Sequence, residues 1–311
     1  MTKPAYSWLD GRLTPWEESR IHVNSDAVLR GASVFEGLRA YRAQGSDEIN
    51  IFRFDDHMHR LFGTSMRFLQ MAAPYSAGQL RQACLDLLRA NQTREDTHLR
   101  VVVYFDEVVV GKDTETPTGA FILAFPRPSS PKLKTGVRCT LSPWRRLSDV
   151  SMSPRVKASA NYLNSRVAVT DAQRKGFDIP ILLNERGKVS EGPGQNIFLV
   201  RGGVLATPRV TDNILEGVTR DTLLRLARRL RIPAEEREVD ATELYVAEEL
   251  FFCGTAVEVQ PITEVDGYRV GEGRPGPLTE RLQAAYFDLV RGVAEGEPGW
   301  LLPVHGPAAR V

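Results

Sequence analysis

The chain has 311 residues, 42% of them hydrophobic and 25% charged, enough for one large or two medium domains with their own cores. Its 40 Lys and Arg nearly cancel 39 Asp and Glu, leaving a formal charge of +1. That balance argues against a broad nucleic-acid or membrane footprint, as does the lack of any apolar run of roughly 18 residues. Cys84, Cys139 and Cys253 lie far apart and form no CxxC pair, so free buried thiols in a reducing compartment are expected. The first residues lack the apolar stretch of a signal peptide, and a cytoplasmic location is expected.

In chain order, residues 49–54 read as a strand and 55–69 as a helix, with Met58, Leu61, Phe62, Ser65 and Met66 at core spacing. A second amphipathic helix covers 79–90, with Leu80, Ala83, Cys84, Leu87 and Leu88 on one face. Two β-branched runs follow at 99–110 and 119–125. Residues 126–132 then place three prolines in seven positions, which suits a linker. The expected organisation is a smaller α/β domain over 1–126, a linker over 127–136 and a larger domain over 137–311. In that second part strands are expected at 137–141, 179–184, 196–200, 204–207 and 250–253, with Gly202-Gly203 as a hairpin turn. Helices are expected at 162–175, 218–230 and 242–247. Strands and helices alternate irregularly and no repeat is found, so the fold class is a two-domain α+β protein.

Several segments carry candidate chemistry. In Arg155-Val156-Lys157-Ala158-Ser159-Ala160-Asn161-Tyr162, a lysine among small residues can lie in a confined space that desolvates its ammonium, favouring Schiff-base chemistry. Taken alone, such a lysine is more often merely solvated. Ser190-Glu191-Gly192-Pro193-Gly194 brackets one carboxylate between strands, as needed to hold a pyridinium nitrogen; a polar turn is the plainer reading. Glu216-Gly217-Val218-Thr219 leads into a strong helix whose first amides suit a phosphate, unless Thr219 only caps the backbone. Gly254-Thr255-Ala256 can add amides and a hydroxyl, and Arg60 a guanidinium.

Asp55-Asp56-His57-Met58-His59 resembles a metal cluster, but two histidines two apart on a helix diverge, so no metal is expected. Arg225, Arg228, Arg229 and Arg231 read as a solvated helix face. No Walker A loop or dinucleotide fingerprint is present.

In this order and spacing the segments resemble one family nearly end to end. They are joined by His22-Val23-Asn24-Ser25, Gly31-Ala32-Ser33-Val34-Phe35-Glu36-Gly37, His57-Met58-His59-Arg60-Leu61 and Val270-Gly271-Glu272-Gly273. The chain resembles the fold-type IV (class IV) aminotransferases, in particular the branched-chain amino acid aminotransferases. The resemblance implies the two-domain D-amino acid aminotransferase-like architecture, pyridoxal 5'-phosphate as cofactor, and amino acid and 2-oxo acid substrates. It implies Lys157 as the lysine that carries the cofactor as a Schiff base and shuttles the substrate proton. Tyr162 would meet the phenolic oxygen and Glu191 the ring nitrogen. Arg60, Val218, Thr219 and Thr255 would hold the phosphate, with Leu215 on the ring. The amides of Thr255 and Ala256 would receive the substrate carboxylate, and Phe35 would line the side-chain pocket. A homodimer is implied, or a larger assembly of dimers, with a neighbour's loop around 109–111 completing an active site at the domain interface.

Two departures bear on the substrate. Arg30 and His98 stand where branched-chain enzymes carry tyrosines, and Arg100 completes the His98-Leu99-Arg100 stretch. Both changes read as basic groups in a pocket that is otherwise apolar. Buried cations are costly unless paired, so Arg30 and Arg100 are candidates to bind a substrate carboxylate. The alternative is that Arg30 pairs with a surface acid and points away. The expected reaction is amino transfer from a branched-chain or related amino acid to 2-oxoglutarate. A D-amino acid or (R)-amine aminotransferase is the alternative. An aminodeoxychorismate lyase and a non-enzymatic binding module are more remote.

Overall fold

The computed structural model describes residues 3–108 and 116–306. The chain divides into two compact units. One holds the residues up to Pro128, Val156–Ala160 and those from Asp288 onward; the other holds Ser129–Arg155 and Asn161–Phe287.

In the first unit, β1 (Tyr6–Leu9), β2 (Arg12–Pro15), β3 (Ser33–Arg42), β4 (Ile49–Phe52), β5 (Thr97–Phe105) and β6 (Thr118–Pro126) join a C-terminal strand, Leu301–Pro303. They form one antiparallel sheet in the order Leu301–Pro303, β4, β3, β5, β6, β1, β2. The longest ladders run between β3 and β5, from Ser33↔Tyr104 to Ala40↔Thr97, and between β5 and β6. Their Val, Leu, Ile and Phe side chains suit a pleated, buried surface. Among the helices here are α1 (Asp26–Leu29), α2 (Phe54–Arg60) and α3 (Ala77–Ala90). The helix expected at 55–69 is present, but its second half, Leu61–Met66, widens into a π-helical turn. Such turns often accompany functional sites. A capping box between Ser76 and Gln79 starts α3, and Leu80, Ala83, Cys84, Leu87 and Leu88 are buried as their spacing predicts.

The second unit contains α4 (Lys132–Thr135), β7 (Val137–Leu141), α5 (Asn161–Arg174), β8 (Ile179–Ile181), β9 (Asn196–Arg201), β10 (Val204–Thr207), α6 (Val218–Arg229), β11 (Ala234–Glu236), β12 (Glu249–Gly254), β13 (Glu258–Val265), β14 (Tyr268–Arg269) and most of α7 (Pro277–Val290). Its sheet runs β11, β10, β9, β12, β13, β7, β8, with β14 paired to β13. The core under it gathers Ile181, Val189, Ile197, Leu199, Leu250, Phe252 and Ile262. Gly202 and Gly203 both take positive φ in the β9–β10 hairpin, the conformation that favours glycine. The helix expected at 242–247 is a short 3-10 segment, Ala241–Tyr245.

The division is not the single cut that the prolines suggested. Residues 156–160 run along β3, where Val34 bridges Ala158 and the Phe35 N–H donates to the Lys157 carbonyl. Leu301–Pro303 extends the first sheet beyond β4. The proline-rich stretch is itself partly ordered, with Leu133 of α4 buried.

The three cysteines are free and buried, and burial pushes the Cys84 thiol up to about 12. Among the described residues no helix is long and apolar enough to cross a membrane. The same residues hold no cluster of three potential metal ligands. The neighbour's loop expected around 109–111 lies outside the described residues.

Candidate active site

Strand β3 organises the candidates that the first unit holds. Strand alternation sends Phe35, Gly37 and Arg39 to one face and Glu36 to the other. The Lys157 backbone is fastened beside this strand: its carbonyl accepts from Phe35 and its N–H donates to Ser65 Oγ at 3.0 Å. Ser33 and Ser159 add a backbone hydrogen bond of 2.9 Å and a hydroxyl pair of 2.8 Å. With its backbone held on both sides, Lys157 extends so that Nζ lies 4.9 Å from the centre of the Phe35 ring. Arg100 lies over the same ring, its Cζ 4.2 Å from the centre. Phe35, itself only 5% exposed, thus meets two cations.

On the opposite face Glu36 is fully buried. Arg60 Nε and Nη2 donate to its two oxygens at 2.7 and 2.8 Å, and His57 Nδ1 lies 2.7 Å from Oε2. Burial alone would push the Glu36 carboxyl up. The Arg60 charge and hydrogen bonds, joined by His57, outweigh it and hold the group below the usual carboxylate range. Burial lowers His57 against the pull of Glu36, and the charges of Arg60 and Lys157 push the same way. The result is an anionic Glu36 and a neutral His57 that donates through Nδ1, since a carboxylate only accepts. The predicted phosphate arginine, Arg60, is therefore buried and preset by a carboxylate neighbour.

The two departures resolve differently. Arg30 ends α1 and its Nη1 donates to Asp26 Oδ1 at 2.8 Å; the arginine side chain is 57% exposed and the aspartate only 8%. Its partner is thus a nearly buried acid one turn back. His98 faces Arg39 across the β3–β5 ladder, and Gly37 faces Arg100. Burial, then the charges of Arg127, Arg100, Arg39 and Lys157, hold the His98 imidazole down to about 3. Its Nδ1 is buried and makes no hydrogen bond among the described residues. Burial first, and then the four neighbouring cations, thus favour a neutral imidazole at His98 over a second cation beside Arg100.

The second unit holds the other candidates. The Glu191 side chain is 4% exposed, and Oε2 accepts from Asn196 Nδ2 at 2.9 Å and from the Leu215 N–H at 3.2 Å. Arg146 Nε lies 2.8 Å from Oε1 without the alignment of a hydrogen bond, so charge rather than direction joins them. Asn196 Nδ2 also donates to the Leu215 carbonyl at 2.9 Å, tying Glu191 to the segment that enters α6. The N-cap of α6 is Gly217, not Thr219, and a glycine brings no side chain to cap the helix. Thr219 is buried, while Leu215, Val218 and Tyr162 are half-buried. Thr255 and Ala256 form the half-buried turn between β12 and β13. Gly192 and Gly217 are required by space. A Cβ on Gly217 would lie 2.0 Å from Asn196 Oδ1, an amide pinned by its two hydrogen bonds. Gly217→Ala is expected to destabilise the fold by about 1–3 kcal/mol and to loosen cofactor retention, checked by chemical unfolding and by absorbance after dialysis.

Sequence reasoning missed Glu36, Arg146 and Asn196. Glu36 stood inside a quoted motif and Asn196 at the start of an expected strand, and a charged or amide residue on a strand that is otherwise apolar was the available signal. Arg146 carried no local signal.

Comparison with known proteins fits this geometry. The family described as amino-transferase class IV matches residues 33–265. The branched-chain-amino-acid aminotransferase of Salmonella typhimurium is 37% identical over 97% of this chain and 98% of its own. Among solved structures, a branched-chain aminotransferase from Thermoproteus uzoniensis with norvaline superposes with a TM-score of 0.90 at 40% identity, covering 97% of this chain and 99% of the other. A branched-chain amino acid aminotransferase from Thermobaculum terrenum in its PLP form gives 0.90 at 38% identity, with 97% and 99% covered. The chain belongs to the class IV aminotransferases, the fold-type IV enzymes that depend on pyridoxal phosphate, and falls within their branched-chain group.

Proposed function

We propose that the chain transfers the amino group of a branched-chain or related L-amino acid to 2-oxoglutarate. The observation that carries this reading is Glu191, a buried carboxylate held by Asn196, Leu215 and Arg146 next to the entry into α6. Those residues fit pyridoxal phosphate: a buried anion matches a protonated ring nitrogen, and the N-terminus of α6, with a glycine at its N-cap, matches a phosphate. Lys157 would bind the cofactor covalently, Tyr162 would meet its phenolic oxygen and Leu215 would pack on its ring. Arg60, Val218, Thr219 and Thr255 would hold the phosphate. Bound there, pyridoxal phosphate supplies an electron sink for the electrons released at the substrate Cα. Lys157 Nζ takes the proton from that carbon and later returns one. The amides of Thr255 and Ala256 orient the substrate carboxylate, and Phe35 offers an apolar wall to its side chain.

A second reading, a D-amino acid or (R)-amine aminotransferase, is favoured by the cationic face. Arg39, Arg100, Arg127 and Lys157 surround a neutral His98 where branched-chain enzymes carry a phenol. A homodimer is part of the proposal, supported by Leu163 and Val167, four apart and exposed on α5. So is a cytoplasmic setting, consistent with three unpaired thiols.

The test is a half-reaction screen. Holoenzyme is mixed separately with L-leucine, L-glutamate, D-alanine, D-glutamate and (R)-1-phenylethylamine, and loss of the bound cofactor's visible absorption is timed. L-Leucine and L-glutamate are expected to bleach it fastest. Fast bleaching by the D-amino acids with none by L-leucine overturns the first reading in favour of the second.

A further inference from the structure

The pair formed by Arg146 and Glu191 has a consequence for the chemistry itself. Arg146 follows β7 and is nearly buried; its backbone N–H donates to the Leu183 carbonyl at 2.9 Å, which fixes where the side chain starts. Glu191 is fixed as firmly, since its carbonyl accepts from the Leu182 N–H at 2.9 Å. Between the two, a full positive charge stands 2.8 Å from one carboxylate oxygen, while Asn196 and Leu215 donate to the other. A carboxylate buried without a counter-charge takes up a proton, whereas one beside a guanidinium and two N–H donors stays ionised and is a weak base.

We propose that Arg146 is a positioning residue that decides where the proton shared by Glu191 and the cofactor's ring nitrogen resides. The inference rests on the role proposed for Glu191 above. With Arg146 present the proton stays on nitrogen, the ring carries a positive charge and Glu191 is its anion. Without that charge, the same single proton moves to Glu191 Oε1 or Oε2, leaving a neutral ring nitrogen beside a neutral carboxylic acid. A neutral ring is the poorer electron sink, so proton abstraction at the substrate Cα slows while substrate binding is untouched. Asn196 alone cannot serve, because an amide donor is uncharged.

The experiment reconstitutes wild type, Arg146→Met and Arg146→Lys with pyridoxal phosphate labelled with ¹⁵N in the ring, and records the nitrogen resonance. It also records single-turnover rates with L-leucine and its Cα-deuterated form. In wild type and Arg146→Lys the resonance is expected at the protonated position. In Arg146→Met it is expected to move toward the unprotonated position, with kcat lower by about 10- to 100-fold and KM within about twofold of wild type. The deuterium effect should grow, because proton abstraction becomes the slower step. A protonated nitrogen in Arg146→Met overturns the proposal, as does a loss of rate that Arg146→Lys shares equally. Should Arg146→Met fail to fold, Arg146→Gln gives the same readout, keeping a polar side chain without its charge. Borohydride trapping of the cofactor on the Lys157 peptide of wild type separates the two readings. Failure to trap sinks the cofactor assignment, whereas trapping with an unmoved nitrogen in the neutral variants sinks only the role of Arg146.

Discussion

Replacing Lys157 with alanine is expected to abolish amino transfer while leaving the fold intact. The two effects separate because the backbone and the side chain of this residue do different things. Its N–H and carbonyl are bonded to Ser65 and Phe35, and alanine keeps both bonds. The side chain contributes a contact with the Phe35 ring, worth about 0.5–2 kcal/mol in favourable cases. It also adds positive charge near His57 and His98, a small addition to the burial that chiefly lowers both imidazoles. Its removal therefore relieves some repulsion, and unfolding midpoints should stay within about 1 kcal/mol of wild type. Activity is another matter: one change removes the covalent anchor and the group that moves the Cα proton. A loss of about ten-thousand-fold or more in the half-reaction with L-leucine is expected. Small primary amines added to the buffer should restore part of it, since they supply a base without the tether. Retention of more than a few per cent of wild-type rate would show that another residue moves the proton.

How far the sequence reveals all this depends on whether each feature is local. The helix α3 is legible because its cap, Ser76, and its apolar stripe lie within fifteen residues of each other. The β9–β10 hairpin is legible because two glycines are needed where φ is positive. Strand β13 hides behind Pro261, which argues against a strand interior. The structure tolerates it because β7 pairs with β13 only from Ile262 onward. Helix α7 carries a local signal of the same kind as α3, since Leu282, Tyr286, Leu289 and Val290 are buried at helical spacing. At the site, the motif glycines and the anchor lysine are visible in order along the chain. The charge state of His98 is not, because it comes from burial and from cations such as Arg127 and Arg39 that the fold, not the sequence, brings near it. Arg60 shows the same limit, since the sequence presents a free guanidinium and the fold presents one already bound to Glu36.

That pair leads to the largest expected change in stability. Glu36→Ala removes the acceptor of two Arg60 donors and of His57, all in the interior. It leaves a buried guanidinium without its anion, which costs about 3–5 kcal/mol. Glu36→Gln keeps the shape and one acceptor and should cost less, which separates lost volume from lost charge. Acid titration tests the same network without mutation. Glu36 is held below its ordinary value, so its contribution is complete above about pH 4.3 and is lost as pH falls further. His57 and His98 are both lowered, His98 to about 3, so the folded protein keeps them neutral while the unfolded chain protonates them below about 6.5. Unfolding then takes up protons, and stability rises with pH wherever the unfolded state binds more of them. The melting temperature should therefore begin to fall below about pH 6.5, with a second decline below about 4.3. His98→Gln should flatten the upper limb and Glu36→Gln the lower one. A melting temperature that is level from pH 7 to about pH 5 would mean that these imidazoles are solvated and charged in the folded protein, contrary to their burial among Arg39, Arg60, Arg100 and Lys157.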